Sequence, residues 1–509
     1  MRRKPFPYTD QSHRGSCLWV FAVLVVLFLA GCAAAPVRNT KEEISKFGMI
    51  IEDLSPQIAG DLGLPARQQG VVVLGVSRGS AAAAAGIRGG DVISGIKGAG
   101  GAFVATPRGD LFLEETGKIK HPLPVELTVL RQGKTVPVSL TRGSQPFDLA
   151  VQSSPNSEPR TFKVAADGGG DVRSLPGALL KARPGDTILL APGKYDGVSV
   201  LLDNVTIRSE VPSKKAVLGL LMVVGASEVK VADLEFVGDA NGKGGISIWK
   251  GEGNTVERCT VRGCSQGITV ANSRGATIRG NRVEKNGLGI YLVDSDFDAS
   301  GNLVLANTRP GGRSTGILIE NSSGTVTNNT VLYQKVPFDQ VAYYGGRYAM
   351  GFDATKGVGI HFSGNSNVSI ESNIVCENNV GIYFAVPETA RYRIEYNDVF
   401  RNISGGKKGS GNYTLTIDGP DWNYVNGVRQ EEKESPVLQL FNEYRHLMFS
   451  PNVATVSPTN LSVDPLFQDL IREDYRLAAD SPLVGRGRGG SYIGALPPVG
   501  RKVGEGDFK

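Results

Sequence analysis

Tyr291, His361 and Tyr383 each follow the isoleucine of a Gly-Ile pair, so whatever unit repeats there sets a phenol, an imidazole and a second phenol at one equivalent position. His361 beside either tyrosine could pass a proton as base and acid, and an arginine such as Arg313 or Arg347 could neutralise an anionic group. Glu320, two residues past Leu318 in another copy, adds a carboxylate. Trp249 closes an earlier copy, and Tyr343 and Tyr344 belong to an aromatic-rich segment, Tyr333 to Phe352. Aromatic faces with carboxylates and amides are the materials of a sugar-binding groove. Asp294, Asp296 and Asp298 alternate, so in a strand they would share a face that could take Ca²⁺. Without a glycine turn or further ligands they read instead as a solvated turn, and no metal site is expected.

The elements that must position these residues are set by the repeat. Gly-Ile pairs recur at 245, 267, 289, 316, 359 and 381, with three steps of 22 residues, one of 27 and one of 43, close to two periods. A second mark travels with the first: Cys259-Thr260-Val261, Asn281-Arg282-Val283, Asn302-Leu303-Val304, Asn329-Thr330-Val331, Asn373-Ile374-Val375 and Asn397-Asp398-Val399. A fixed period of this size means a solenoid, and stacked asparagines can bond coil to coil. Twenty-two residues hold three short strands but no helical hairpin, which gives a parallel β-coil rising about 4.8 Å per turn. With Ile246 and Ile248 turned inward, Ser247 and Trp249 point outward, and Thr269, Tyr291, Leu318, His361 and Tyr383 form the equivalent outward column.

At the N-terminus, Arg2, Arg3, Lys4 and Arg14 precede the apolar run Leu18 to Ala30, and Leu29-Ala30-Gly31-Cys32 follows. This resembles the lipobox of bacterial lipoproteins. The resemblance implies a signal peptide over 1–31, a lipid anchor on Cys32, a tether over 32–43 and, with Ala33 rather than Asp after the cysteine, the outer membrane. Loss of 1–31 would lower the formal charge from +5 to about +2. No basic stripe stands out, which argues against nucleic acid. Cys259, Cys264 and Cys376 make no framework or metal motif; a Cys259–Cys264 bridge and buried thiols are both open.

Residues 44–143 read as a small α+β unit. Phe47-Gly48-Met49-Ile50, Gly70-Val71-Val72-Val73, Gly79-Ser80-Ala81-Ala82 and Gly90-Asp91-Val92-Ile93 resemble, in order, the PDZ domains of periplasmic serine proteases. The resemblance implies a groove in which a protein C-terminal peptide adds as a strand, with Phe47, Gly48, Met49 and Ile50 on one wall and Leu111 on a helix opposite. A linker of Gln, Ser, Pro and Asn covers 144–160. From 161 to 497, the entrance Gly185-Asp186-Thr187-Ile188 and the exit Val463-Asp464-Pro465-Leu466-Phe467 resemble the right-handed parallel β-helix family typified by pectate lyases. Insertions are expected at 333–357 and 404–460, and a tail over 498–509.

The fold expected is therefore mainly β: a PDZ-like unit followed by a three-strand-per-coil parallel β-helix. Its partners would be C-terminal peptides, a polysaccharide and, through the anchor, a membrane of the cell envelope. No cofactor motif is present, and the acid, base and arginine set that resemblance to a lyase would require is incomplete, as is any ladder of paired aspartates. The residues favour a non-catalytic binding and scaffold role. The alternative is a polysaccharide lyase or epimerase acting on a uronate-containing glycan, with His361, Tyr291 and Tyr383 as the reacting groups.

Overall fold

The computed structural model describes residues 47–500, apart from 78, 98–100, 120–123, 141–157, 309–313, 336–342, 345–346, 349–356, 388, 403–413, 416–423, 426–427 and 430–456. The signal, Cys32 and the tether lie outside the described residues, as do Arg313 and nearly all of 404–460.

The first unit is an antiparallel sheet in the order β1 (Met49–Asp53), β2 (Val71–Val76), β3 (Val92–Lys97), β5 (Val125–Arg131), β6 (Lys134–Leu140), with β4 (Phe103–Ala105) added to β3. Its helices are α1 (Pro56–Asp61), α2 (Ala81–Ala84) and α3 (Gly109–Lys118). The side-chain oxygens of Ser55 and Ser80 cap α1 and α2. Alternate residues of β1 divide between two faces: Met49 and Ile51 join Phe112 in the core, while Ile50 points the other way.

From Thr161 the chain winds into a three-sided parallel solenoid whose sheets hold nine, ten and nine strands. The first sheet runs from Val198–Val200 through Gly245–Trp249, Gln266–Ala271, Leu288–Val293, Thr315–Glu320 and Val358–Ser363 to Val380–Ala385, then takes Thr414–Leu415 as an antiparallel edge. The interior is a continuous stack of Ile, Val and Leu, as the strand alternation requires. Helix α4 (Leu175–Lys181) lays Leu175 and Ala178 over the open end.

The repeated glycine has a steric cause. A Cβ at Gly267 would lie 2.6 Å from the carbonyl oxygen of Gly289, and one at Gly359 2.8 Å from that of Gly381, so the coils approach too closely there for any side chain. Asn281, Asn302, Asn329, Asn373 and Asn397 form the expected ladder, each accepting from the backbone N–H of the preceding rung at 2.9–3.0 Å. The ladder ends on Asn460, which accepts from Asn397 N at 3.0 Å although it falls inside the segment expected as an insertion. A second ladder, Asn286, Asn307, Gln334, Asn378 and Asn402, was not anticipated, although each rung stands five residues after a rung of the first. Cys259 and Cys264 are buried free thiols that head the two ladders. They flank the strand Thr260–Arg262 at different corners, roughly 16 Å of extended chain apart, so the bridge does not form.

The connections 306–314 and 333–357 and the one after Phe400 each follow a strand of the third sheet and precede one of the first, and Asn307, Gln334 and Asn402 stand as ladder rungs where they begin. The outer face of the third sheet is covered by the C-terminal segment, where Tyr475, Leu477, Leu483 and Ile493 pack on Leu303, Leu305, Leu332 and Ile374.

Candidate functional site

The outer face of the first sheet carries the expected column in register: Ser247 beside Thr269, then Tyr291, Leu318, His361 and Tyr383 on successive coils. From Thr269 onward no member is more than 9 % exposed, so the shallow open column expected from the repeat is instead shielded. Tyr291 donates its hydroxyl to Glu320 Oε2 at 2.5 Å across adjacent coils. His361 sets its ring edge-on to Tyr383, with centroids 4.7 Å apart. The parallel register is what joins these residues, because each coil step of about 4.8 Å brings equivalent side chains into contact.

The outer face of the first sheet shields two phenols and an imidazole, groups that are costly to desolvate, with the Glu320 carboxylate partly exposed beside them. The covered face of the third sheet likewise buries polar groups, Thr330 and Asp398, in register with Leu303 and Ile374.

Trp249 stands apart from that column. It belongs to the adjacent row and packs against the cluster of Ile50, Leu201 and Val224, together with Leu74 and Met222. The outer face of β1 and β2 is thus seated on the first coils of the first sheet, so Trp249 and Ile50, one expected to touch a glycan and the other a peptide, meet in a domain contact. Asp61, at the end of α1, completes it by accepting from Ser174 Oγ and N and from Arg173 N at the start of α4. Glu52 faces the same contact: burial, then Asp196 and Asp53, push its carboxyl up to about 7. Nothing in the sequence signals this contact, since Asp61, Leu201 and Met222 lie outside the Gly-Ile pairs, the asparagine marks and the PDZ-like motifs.

The other peptide-wall residues divide. Phe47 and Met49 are buried in the first unit's core beside Phe112, Gly48 takes φ 73°, and Leu111 on α3 is 37 % exposed. Among the described strands β1 pairs with β2 alone, and Asp53 Oδ1 ties its far end to Gly109 N at 2.6 Å. Tyr343, Tyr344 and Arg347 contribute backbone to a two-stranded ribbon, and their side chains lie outside the described residues. Asp294 turns out of the strand at φ 48°, and Asp298 accepts from Thr325 Oγ1, so the three acids do not converge. Among the described residues no group of three potential ligands gathers as for a metal ion.

The family model described as a right-handed β-helix region matches residues 196–351. Residues 161 onward form a right-handed parallel β-helix. Similar solved structures include a pectate lyase (15 % identity, TM-score 0.30, covering 67 % of this chain and 97 % of that one). Another is the A-module of the Azotobacter vinelandii mannuronan C-5 epimerase (17 %, 0.27, 42 % and 69 %), and a third the cedar pollen allergen jun a 1 (14 %, 0.35, 54 % and 86 %). At these values the likeness is one of fold, and no residue role passes across it. No curated protein matches the sequence.

Proposed function

We propose that the protein is an envelope-anchored binding protein whose β-helix holds a saccharide along the outer face of its first sheet. The observation that carries this reading is the clustering of phenol, carboxylate and imidazole on successive coils of one sheet face, Tyr291 with Glu320 and His361 with Tyr383, with Glu320 partly exposed. Phenol and carboxylate pairs offer hydrogen bonds to hydroxyls, and aromatic rings offer stacking surface to sugar rings. The lipobox reading of Cys32 supplies the anchor, and the edge of β1 that pairs with no further described strand, near the helix of Leu111, suits an added peptide strand.

A second reading, a lyase or epimerase, is favoured by the same cluster, since Tyr, His and Glu lie on neighbouring coils. One experiment separates the two. Mature protein lacking Cys32 is titrated with acidic and neutral polysaccharides, with and without Ca²⁺, while the absorbance of unsaturated uronate products is followed. Binding without product supports the binding role. Product that vanishes in His361→Ala establishes the enzyme, and neither signal overturns both.

A further inference from the structure

The first unit sits on the solenoid as one sheet on another, and its strands follow the order of the coils. The side of β2 and β3 lies towards the capped end, where Leu180 of α4 packs with Leu62 and Leu74. On β2, a Cβ at Gly75 would lie 3.1 Å from Leu201 Cδ2. One strand on, Ile50 of β1 joins the cluster of Leu201, Val224, Met222 and Trp249. Leu201 follows Val200, the partner of Val223, and so shares one outward row with Val224 and Trp249 on three successive coils. The cover thins along that row. Leu201 and Val224 are buried, Trp249 and Ser247 are half-buried, and Lys250, whose ammonium stands 4.8 Å from the indole centroid, is exposed.

Among the described strands β1 pairs with β2 alone, so its other side is an edge. Strands in a sheet and coils in a solenoid share one spacing, about 4.8 Å. A strand added to β1 therefore falls over the coil of Ser247 and Trp249, as β2 and β1 fall over the two coils before it. Its side chains alternate between two faces. Those on the side of Met49 and Ile51 point towards α3, where Leu111 is 37 % exposed, and those on the side of Ile50 point towards Trp249.

Resting on the peptide-strand reading above, we infer that the solenoid reads the second set of these side chains, so that an extended peptide is recognised on both its faces and Trp249 is the specificity-determining residue of the solenoid face. A strand added to the first unit standing alone would leave that set in water. Here it meets the open side of an apolar cluster that Ile50, Leu201 and Val224 close from the other side. The side chain that fits is apolar or aromatic, since it extends this cluster and can pack on the indole. The partner is thus a protein segment with two adjacent apolar residues, one for each face, rather than one with a preference at every second position only.

The test is a selection. A phage-displayed library of random peptides with free C-termini is panned on full-length mature protein lacking Cys32 and on its Trp249→Ala variant. Wild type is expected to select apolar residues at adjacent positions. The variant is expected to lose the preference at the solenoid-facing positions, to keep it at the alternate ones, and to bind the wild-type peptides about tenfold more weakly. Identical selections from both proteins overturn the inference and leave the peptide reading intact. No enrichment on wild type removes the peptide reading, and the inference with it. Should Trp249→Ala fail to fold, wild-type protein decides alone: selected peptides carry a photo-crosslinker at each position in turn, and the crosslinks are expected to alternate between α3 and residues 247–250. Crosslinks that never reach the solenoid overturn the inference.

Discussion

Asp61 and Ser174 bind the two units together: the carboxylate accepts the seryl hydroxyl at 2.6 Å and the seryl N–H at 3.0 Å, with Arg173 N at 2.9 Å. Ser174 also caps α4, accepting from Gly177 N at 3.0 Å. One serine therefore closes the solenoid's end and receives the neighbouring unit. Asp61→Ala removes a charged acceptor worth about 1.5–3 kcal/mol while leaving the cap in place. The expected result is a calorimetric melt that separates into two transitions where the wild type shows one, and an unchanged single transition would mean that the apolar seat alone couples the units.

Gly177 tests the same contact from the other side. A side chain there would overlap the Asp61 carboxylate. Gly177→Ala is expected to raise helix propensity in α4 yet uncouple the two transitions, the opposite of what an alanine does in an isolated helix.

The glycine ladder makes a harsher demand. At Gly267 a methyl would sit 2.6 Å from the Gly289 carbonyl, in the middle of a stacked sheet that cannot part without breaking its neighbours' hydrogen bonds. Gly267→Ala is expected to cost about 1–3 kcal/mol, as overpacking does, read as a fall in urea midpoint at constant slope. The Gly-Ile pair announced the repeat in the sequence, and the reason for its glycine, close coil-to-coil approach, appears only once the coils are stacked.

This divides what the sequence could show from what it could not. Period, strand alternation and the asparagine rungs are local and recur, so the solenoid and the equivalence of Tyr291, His361 and Tyr383 were legible. The second ladder, with Asn286 and Asn307 at a constant offset of five, is equally local, but its Gln334 rung breaks the run of asparagines. The seating of Ile50 near Trp249 was not legible, because a contact between a non-repeating unit and one end of a repeat leaves no period to detect. The same contact is why Trp249 reads from its position as an exposed ring although it packs in an interface.

Two carboxylates respond to pH in opposite senses. For Glu257, burial works to raise the pKa, but Lys230, Arg279 and Arg258 outweigh it and hold the group at about 2, below its ordinary 4.5. Its contribution is full above about 4.5 and is lost as pH falls towards 2. Chemical denaturation of wild type and Glu257→Gln should thus differ near neutrality and converge in acid.

Glu52 runs the other way. Its carboxyl is raised from 4.5 to about 7 by burial, with Asp196 and Asp53 adding to the effect. The folded state binds the extra proton, so this contribution is complete below about 4.5 and is lost as pH rises through about 7. The docked arrangement is expected to weaken on the alkaline side of neutrality, seen by small-angle scattering as a larger radius of gyration, and Glu52→Gln should flatten that dependence. A wild-type radius that ignores pH between these limits would show that Glu52 finds relief without loosening the seat.

Tyr291 separates structure from recognition most directly. Its ring packs with Leu288 and Leu318, and only its hydroxyl reaches Glu320. Tyr291→Phe keeps the packing and deletes the hydrogen bond from a buried hydroxyl to the Glu320 carboxyl, at an expected cost of about 1 kcal/mol in stability. If the pair serves a saccharide, affinity falls by about tenfold in the same variant, while Leu305→Ala on the covered third sheet lowers stability and leaves affinity unchanged. Equal affinities in wild type and Tyr291→Phe would mean that the phenol and carboxylate satisfy each other and take no part in binding.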